Sequence, residues 1–351
     1  MDRLPVNFLI TPAGGPGILP ELESLKQSKR YAARAVLADS NPATGNMFLP
    51  GVDARYRIPE CTADDFIPAL LRLIEKEKID YHYSGLDEEM PILAKHRKAF
   101  KKAGCRLLLP ESEALACALD KKATEEKLRG TVRMPKTFPL NGSMDTSKIY
   151  EELEGGVLIK ATGLRGGRQI YIPDDREEFD FYFERCLRLS RKSELEFIIQ
   201  AYIEGTEYNV TTLHDLEHRQ IFAVCRRKFE NRQIKSTTTA AVVERRDDVI
   251  EQAVAAVRGL NLTPGFNNVE IIVSNADDQP YFIEVNGGRT AAQDLNLVAS
   301  GINLTDLMID VLRGEKVESI PHPEGGVVSL KIRRDVITNY SDVMEMPTPG
   351  S

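Results

Sequence analysis

The stretch NNVEIIVSNADDQPYFIEVNGG, residues 267–288, has the pattern of a β-hairpin with polar side chains on one face. Two runs rich in apolar residues flank the segment SNADDQP, whose residue types favour turns. If the turn centres on the first aspartate of that segment, antiparallel pairing places Glu270 opposite Glu284 and Asn268 opposite Asn286. Because side chains two residues apart share a face of a strand, all four would lie together.

Two carboxylates that face each other predict a bound cation. The Cβ atoms of opposed residues lie ~5 Å apart, where two glutamates repel each other unless a cation or a shared proton lies between them. A cluster of oxygen donors favours Mg²⁺ over zinc, which prefers cysteine and histidine, and Mg²⁺ usually completes its coordination with substrate phosphates. The alternative is a solvated hairpin face, which the apolar residues around Glu270 and Glu284 disfavour.

A second motif, LIKATGLRGGRQIYI at residues 158–172, has a lysine ahead of a glycine-rich loop. The common P-loop has the lysine after its glycines, so that motif is not satisfied. A strand–loop–strand unit can instead fold its backbone N–H groups over phosphates, with Lys160 on the first strand pointing at the same phosphates. The loop glycines are Gly163, Gly166 and Gly167. A flexible hairpin tip is the alternative interpretation.

The chain alternates strand-like and helix-like segments up to about residue 112. This alternation predicts a parallel sheet with helices on its faces, and ligands bind beyond the carboxyl ends of such strands. The predicted strands are residues 6–11, 35–39, 80–84 and 106–110. The turn PAGGPG after the first strand does not fit the dinucleotide-binding pattern G-x-G-x-x-G, so we do not expect a nicotinamide cofactor.

Composition excludes several classes of protein. The 351 residues carry a net charge of −7, which argues against a nucleic-acid surface built on bulk positive charge. No apolar run is long enough to predict a membrane span, and the first residues lack the layout of a signal peptide. The five cysteines are scattered, which fits reduced thiols and predicts a cytoplasmic protein.

Four segments in a fixed order resemble the ATP-grasp superfamily, most closely its carbamoyl-phosphate-synthase-like and carboxylate–amine ligase members. They are LDKKAT (119–124), VLIKATGLRGGRQI (157–170), IIQAYIEGTEYNV (198–210) and VEIIV…YFIEVN (269–286). The resemblance implies an α/β fold with an N-terminal Rossmann-like parallel sheet domain followed by a two-lobed ATP-grasp domain. The expected divisions are the Rossmann-like domain (1–112), a linker helix and small lobe (113–205), a large lobe (206–315) and a C-terminal strand and tail (316–351).

The resemblance also implies roles for single residues at a nucleotide site. Lys121 and Lys160 resemble the lysines that contact the nucleotide, and the three glycines resemble its mobile cover. The segment Gln200, Ala201, Tyr202 and Ile203 resembles the linker that reads adenine through its backbone. Glu207 resembles the acid that binds the ribose hydroxyls. The metal ligands implied are Glu270, Glu284 and Asn286.

The basic group at the reaction centre is less well defined. Many relatives have N-P-R after the hairpin, whereas this chain has NGGR, so Arg289 is displaced by one position. Relatives often place a further basic group for the acyl phosphate in the region of CRRKFENRQIK. Arg226 and Lys235 are the candidates there, and Arg226 is preferred to Arg227 because neighbouring strand residues face opposite ways. Solvated strand charges are an equal alternative.

The implied activity is a two-step acyl transfer that uses ATP and Mg²⁺, with Mn²⁺ as the alternative ion. A carboxylate would take the γ-phosphoryl group, and an amine would then displace phosphate from the acyl phosphate. The expected partners are small-molecule carboxylate and amine substrates, without nucleic acid or membrane, and homodimerisation is left open. Two other functions stay open: carbamoyl phosphate formation from bicarbonate and ammonia, and a nucleotide-binding regulatory module without turnover.

Overall fold

The computed structural model describes residues 3–15, 17–162, 169–193, 195–229, 239–332 and 335–350. Within these residues it forms three β-sheets with helices packed between and around them. The first sheet is parallel and the other two are antiparallel. This arrangement confirms the predicted α/β class with an N-terminal parallel sheet.

The N-terminal sheet has four strands in the order β3-β2-β1-β4. Its strands are parallel, as the alternation of strands and helices predicted. The central strand β1 is apolar and buried along its second half because helices cover the sheet. The elements are β1 (Leu4–Thr11), α1 (Ile18–Gln27), β2 (Tyr31–Asp39), β3 (Ala54–Arg57), α2 (Phe66–Glu77), β4 (Tyr81–Ser84), α3 (Glu89–Lys95) and α4 (Arg97–Lys102).

Two details of this sheet differ from the prediction. Residues 106–110 do not form a strand, since only Arg106 makes a bridge, to Tyr81. The leucines that follow are buried against the core, and Pro110 has no N–H for a ladder. The edge strand β3 was not predicted, because its four residues include two arginines and give little apolar signal.

The small sheet follows, with its strands in the order β5-β8-β6-β7. Helices α7 and α8 cover one face, where Phe179, Phe183 and Cys186 of α8 are buried with the strand residues. The elements are α5 (Ser112–Leu119), α6 (Lys121–Leu128), β5 (Thr137–Pro139), α7 (Thr146–Glu152), β6 (Val157–Ala161), β7 (Ile170–Tyr171), α8 (Arg176–Lys192) and β8 (Phe197–Ala201).

The large sheet has six strands in the order β13-β12-β9-β10-β11-β14. One face packs on helix α9, whose residues Val249, Ala253, Ala256 and Val257 are buried. The elements are β9 (Gly205–His214), β10 (Gln220–Phe229), β11 (Ala240–Val243), α9 (Asp247–Gly259), β12 (Gly265–Ser274), β13 (Pro280–Gly287), α10 (Leu295–Ala299), α11 (Leu304–Arg313), β14 (Val328–Leu330) and α12 (Tyr340–Met344).

The register of the β12–β13 hairpin is the one predicted from the sequence. Glu270 pairs with Glu284 and Asn268 pairs with Asn286. A shift in register follows Glu270, so the pairing beyond it toward the turn changes by one residue. None of the helices in the described part of the chain is both long and apolar enough to span a bilayer.

Candidate active site

A cleft lies between the small sheet and the edge of the large sheet, and we call it the central cleft. Its walls come from α5 and α6, from strands β5, β6 and β8, and from β13. Lys121, Lys160, Gln200 and Glu284, all predicted site residues, line it. The cleft therefore brings together residues that are up to 163 positions apart in the sequence (284 − 121).

Lys160 lies inside the cleft with most of its side chain buried. Its Nζ donates to Gln200 Oε1 at 2.9 Å, and Gln200 Nε2 donates to Thr137 Oγ1 at 2.9 Å. Burial lowers the pKa of the Lys160 ammonium to about 8, while Glu284 raises it and Lys121 lowers it further. Because burial disfavours the charged form of Lys160, an anionic ligand in the cleft would be favoured, since it would stabilise the ammonium.

Lys121 stands at the first position of helix α6, across the cleft from Lys160. The preceding Asp120 caps this helix by accepting from the backbone N–H groups of Lys122 and Ala123. The Lys121 ammonium donates to the Thr162 carbonyl at 3.4 Å, at the start of the glycine-rich segment. Its charge adds to the positive end of the α6 dipole, so this wall of the cleft also favours anions.

The end of β8 and residues 202–204 connect the small sheet to β9 of the large sheet. The Ala201 N–H donates to the Lys136 carbonyl at 2.8 Å and the Tyr202 N–H donates to the Gly156 carbonyl at 3.0 Å. These two hydrogen bonds hold the segment in place and engage the N–H groups of Ala201 and Tyr202. A Cβ at Gly205 would lie 2.0 Å from the Val273 carbonyl oxygen, which requires glycine at this crossing.

Glu207 and Glu270 share a partner that the sequence did not reveal. The Lys228 ammonium contacts the Glu270 carboxylate and lies 3.1 Å from Glu207 Oε2. Burial lowers the pKa of Lys228, but the two glutamates raise it more, so the net shift is upward. In the sequence, Lys228 lies two residues after Arg226 on a predicted strand and therefore shares its face. That spacing was the signal by which Lys228 could have been assigned to the site.

The metal-ligand set predicted from the hairpin consists of oxygen donors on one face. The Glu270 carboxylate also accepts from Asn268 Nδ2 at 3.3 Å, whereas Glu284 is exposed and its carboxylate has no hydrogen bond to another described residue. No three or more His, Cys, Asp or Glu side chains cluster in a metal-binding arrangement in the described ranges. Two carboxylates and the Asn286 amide fit Mg²⁺, which would take its remaining ligands from water and phosphate.

Arg226 lies on the predicted face but is fully buried. The register places it opposite Asn209, which is in turn opposite Glu270. Its guanidinium forms an ion pair with the buried Asp294 and donates to Thr211. Arg227 faces the other way, as predicted, and bonds Glu244 at 2.8 Å. The structure therefore shows Arg226 in a buried ion pair with Asp294, and its assignment to the acyl phosphate stays a prediction.

Arg289 is turned toward the N-terminal sheet. Its Nε and Nη2 donate to the two oxygens of Asp87 at 2.7 and 3.1 Å, and both side chains are buried. Gly288 before it has a φ of +84°, a conformation that favours glycine, and the extra residue relative to N-P-R lets the chain turn there. Burial lowers the pKa of Arg289, but Asp87 raises it more, with smaller upward contributions from Tyr83 and Glu284, so the net shift is upward.

The other predicted residues lie outside the described part of the chain. They are Gly163, Gly166, Gly167 and Lys235.

Comparison with known proteins finds two family models that match parts of the chain. Residues 118–292 match the family model of the ATP-grasp domain, and residues 21–108 match that of the PylC-like, N-terminal domain. The large chain of carbamoyl phosphate synthase from Clostridium beijerinckii is 23% identical over 321 residues, which cover 88% of this chain. This chain spans only 29% of that large chain.

Solved structures share the fold. The biotin carboxylase–β,γ-ATP complex from Campylobacter jejuni has a TM-score of 0.68 at 19% identity, over 89% of this chain and 72% of that one. The L-amino acid ligase from Bacillus licheniformis has a TM-score of 0.62 at 16% identity, over 89% of this chain and 75% of that one. The central cleft thus belongs to a fold that nucleotide-bound and ligase structures also adopt.

Proposed function

We propose that this chain, which belongs to the ATP-grasp superfamily, is an ATP-dependent ligase that joins a carboxylate to an amine. The observation that carries the proposal is the pairing of Glu270 with Glu284 at the edge of a cleft that also holds Lys121 and Lys160. Opposed carboxylates beside two lysines suit a metal–polyphosphate ligand, because each set of charges balances part of it. The presence of an L-amino acid ligase among the related structures supports the carboxylate–amine class.

In the nucleotide site, we assign Lys160 and Lys121 to the phosphates and the backbone of residues 200–203 to adenine. We assign Glu207 of β9 to the ribose hydroxyls, from which its carboxylate would accept hydrogen bonds. Glu270, Glu284 and Asn286 would hold Mg²⁺, or Mn²⁺ in its place. Bound there, the ion would supply positive charge that neutralises the phosphate oxygens during transfer.

The reaction would proceed in two steps. The substrate carboxylate attacks the γ-phosphoryl group of ATP, which gives an acyl phosphate and ADP, and the amine then displaces phosphate. Positioning and charge neutralisation do most of the work in phosphoryl transfer, so we assign this work to Lys121 and Lys160, with Arg289 as a further candidate cation. Gly163, Gly166 and Gly167 are proposed to cover the phosphates and exclude water from the acyl phosphate.

A second candidate function is formation of carbamoyl phosphate from bicarbonate and ammonia. The match to the carbamoyl phosphate synthase large chain favours it. Because this chain spans 29% of that protein, the match leaves most of the large chain without a counterpart, and we rank this function second.

The deciding experiment is a screen for ADP and phosphate release by the purified chain with Mg²⁺-ATP. Mixtures of organic acids with amino acids are compared with bicarbonate plus ammonia. Turnover that needs both an organic acid and an amine supports the ligase. Turnover with bicarbonate and ammonia alone supports carbamoyl phosphate formation. Tight ADP binding without turnover in any mixture would indicate a regulatory module.

A further inference from the structure

Lys228 connects two carboxylates that we assign to different parts of the ligand. It lies on β10, and its ammonium contacts Glu207 on β9 and Glu270 on β12. The side chain is 11% exposed, so it is held across the face of β9 rather than extended into water. A solvated surface lysine would not make two such contacts, because fixing its long side chain costs conformational entropy.

The charges around Lys228 explain why it is held there. Glu270 faces Glu284 directly. On the other side, Glu270 is opposite Asn209 of β9, and Glu207 lies two residues before Asn209 on that strand. Three carboxylates therefore lie on one face within the reach of neighbouring strands, where like charges are destabilising. Among the described residues, Lys228 supplies a cation that bonds two of these carboxylates, those of Glu207 and Glu270.

Both carboxylate oxygens of Glu270 have partners within the chain. Oε2 contacts the Lys228 ammonium and Oε1 accepts from Asn268 Nδ2. A metal ion that binds Glu270 must displace the ammonium or share the carboxylate with it. By contrast, the carboxylate of Glu284 has no hydrogen bond to another described residue, and its exposure leaves it open to a ligand.

We propose that Lys228 is a positioning residue that occupies the metal's place on Glu270, so that the site resists a bare divalent ion and fills only with the metal–nucleotide complex. The proposal rests on the metal assignment of the proposed function. When the complex arrives, the phosphates supply the remaining ligands, and Glu207 keeps a hold on the displaced ammonium. Before the complex binds, Lys228 would keep the Glu207 and Glu270 carboxylates ordered by contacting both.

The test measures binding of Mn²⁺ alone, by the free-ion signal in electron paramagnetic resonance, to the full chain. Lys228→Met should bind Mn²⁺ about 5-fold to 50-fold more tightly than the parent, since removal of one charge near a divalent ion changes its affinity by an order of magnitude. Lys228→Arg should restore the parent affinity. Arg227→Met is the matched control, because it removes a paired cation from the same strand on the opposite face.

Unchanged or weaker Mn²⁺ binding by a folded Lys228→Met variant overturns the proposal. If that variant does not fold, as judged by circular dichroism, Lys228→Gln provides the same comparison with a polar side chain. Binding of Mn²⁺–ADP to Glu284→Gln separates the two levels of inference. If Glu284→Gln binds the complex as well as the parent does, the metal assignment itself fails; if it binds weakly but Lys228→Met leaves Mn²⁺ affinity unchanged, only the role of Lys228 fails.

Discussion

Arg289 and Asp87, which are 202 positions apart, form a buried ion pair through two parallel hydrogen bonds. Asp87 follows β4 of the N-terminal sheet, and Arg289 follows the hairpin that carries Glu284. The contact therefore fixes the end of the β12–β13 hairpin against the N-terminal sheet.

Loss of one partner from this pair should destabilise the whole chain. Asp87→Asn leaves the buried guanidinium of Arg289 without its counter-charge, and we expect the free energy of unfolding to fall by about 3–5 kcal/mol. Urea denaturation measures the change. Glu111→Gln, which breaks the exposed pair with Arg97, should cost less than about 1 kcal/mol. An equal loss in both variants would contradict the assignment.

Glu284→Gln should reduce turnover by about 100-fold or more while the fold is retained, because it removes one of two opposed carboxylates from the phosphoryl-transfer site. Steady-state ADP release measures turnover, and thermal unfolding checks the fold. Glu217→Gln, an exposed glutamate in a turn, serves as the control. Normal turnover by Glu284→Gln with Mg²⁺-ATP would show that Glu284 is not a metal ligand.

Nucleotide binding should weaken as the pH rises through the pKa of Lys160, about 8. Below that pH the ammonium is charged and binds phosphate; above it, binding must also take up a proton, which costs affinity. Calorimetric titration with ADP from about pH 7 to pH 9 should show this loss and the proton uptake. Lys160→Arg keeps its charge throughout. The variant should therefore show no such pH dependence, and a parallel loss in both proteins would count against Lys160.

The same pKa shift also affects stability. The pKa of Lys160 is about 8 in the folded chain, whereas an unfolded lysine retains its proton up to its ordinary pKa of 10.5. Between these values the unfolded chain binds more protons, so the contribution of Lys160 to the free energy of unfolding rises with pH. Denaturation of the parent and of Lys160→Met across this range isolates the contribution, which is absent if the two curves stay parallel.

Gly205→Ala should be strongly destabilising, because its Cβ would lie 2.0 Å from the Val273 carbonyl oxygen, a backbone atom that cannot rotate away. We expect a loss of about 2–4 kcal/mol, in the range of other severe steric substitutions. Thermal unfolding and ADP binding measure the effect on the fold and on the cleft. Gly45→Ala is the control, since its nearest neighbour is at 3.8 Å, an ordinary contact distance.

The sequence predicted the parts of the site that depend on local pairing. The alternation of side chains around a short turn sets the register of a hairpin, so Glu270 and Glu284 could be placed opposite each other without coordinates. The parallel N-terminal sheet followed from alternation in the same way. Residues 106–110 show where this kind of prediction fails, because a short apolar run can be buried either as a strand or as an irregular connection.

Only the tertiary structure decided which charged side chains pair. From the sequence alone, Lys228 would be interpreted as a solvated strand lysine. In the fold, the pairing of three strands brings Glu207 and Glu270 beside it. Likewise, nothing near Arg226 in sequence indicates its buried partner Asp294. Pairing along one hairpin is a short-range property that the sequence pattern carries. Ion pairs between distant strands and sheets depend instead on how those elements pack, and burial decides whether each charge faces solvent, a counter-charge or a ligand.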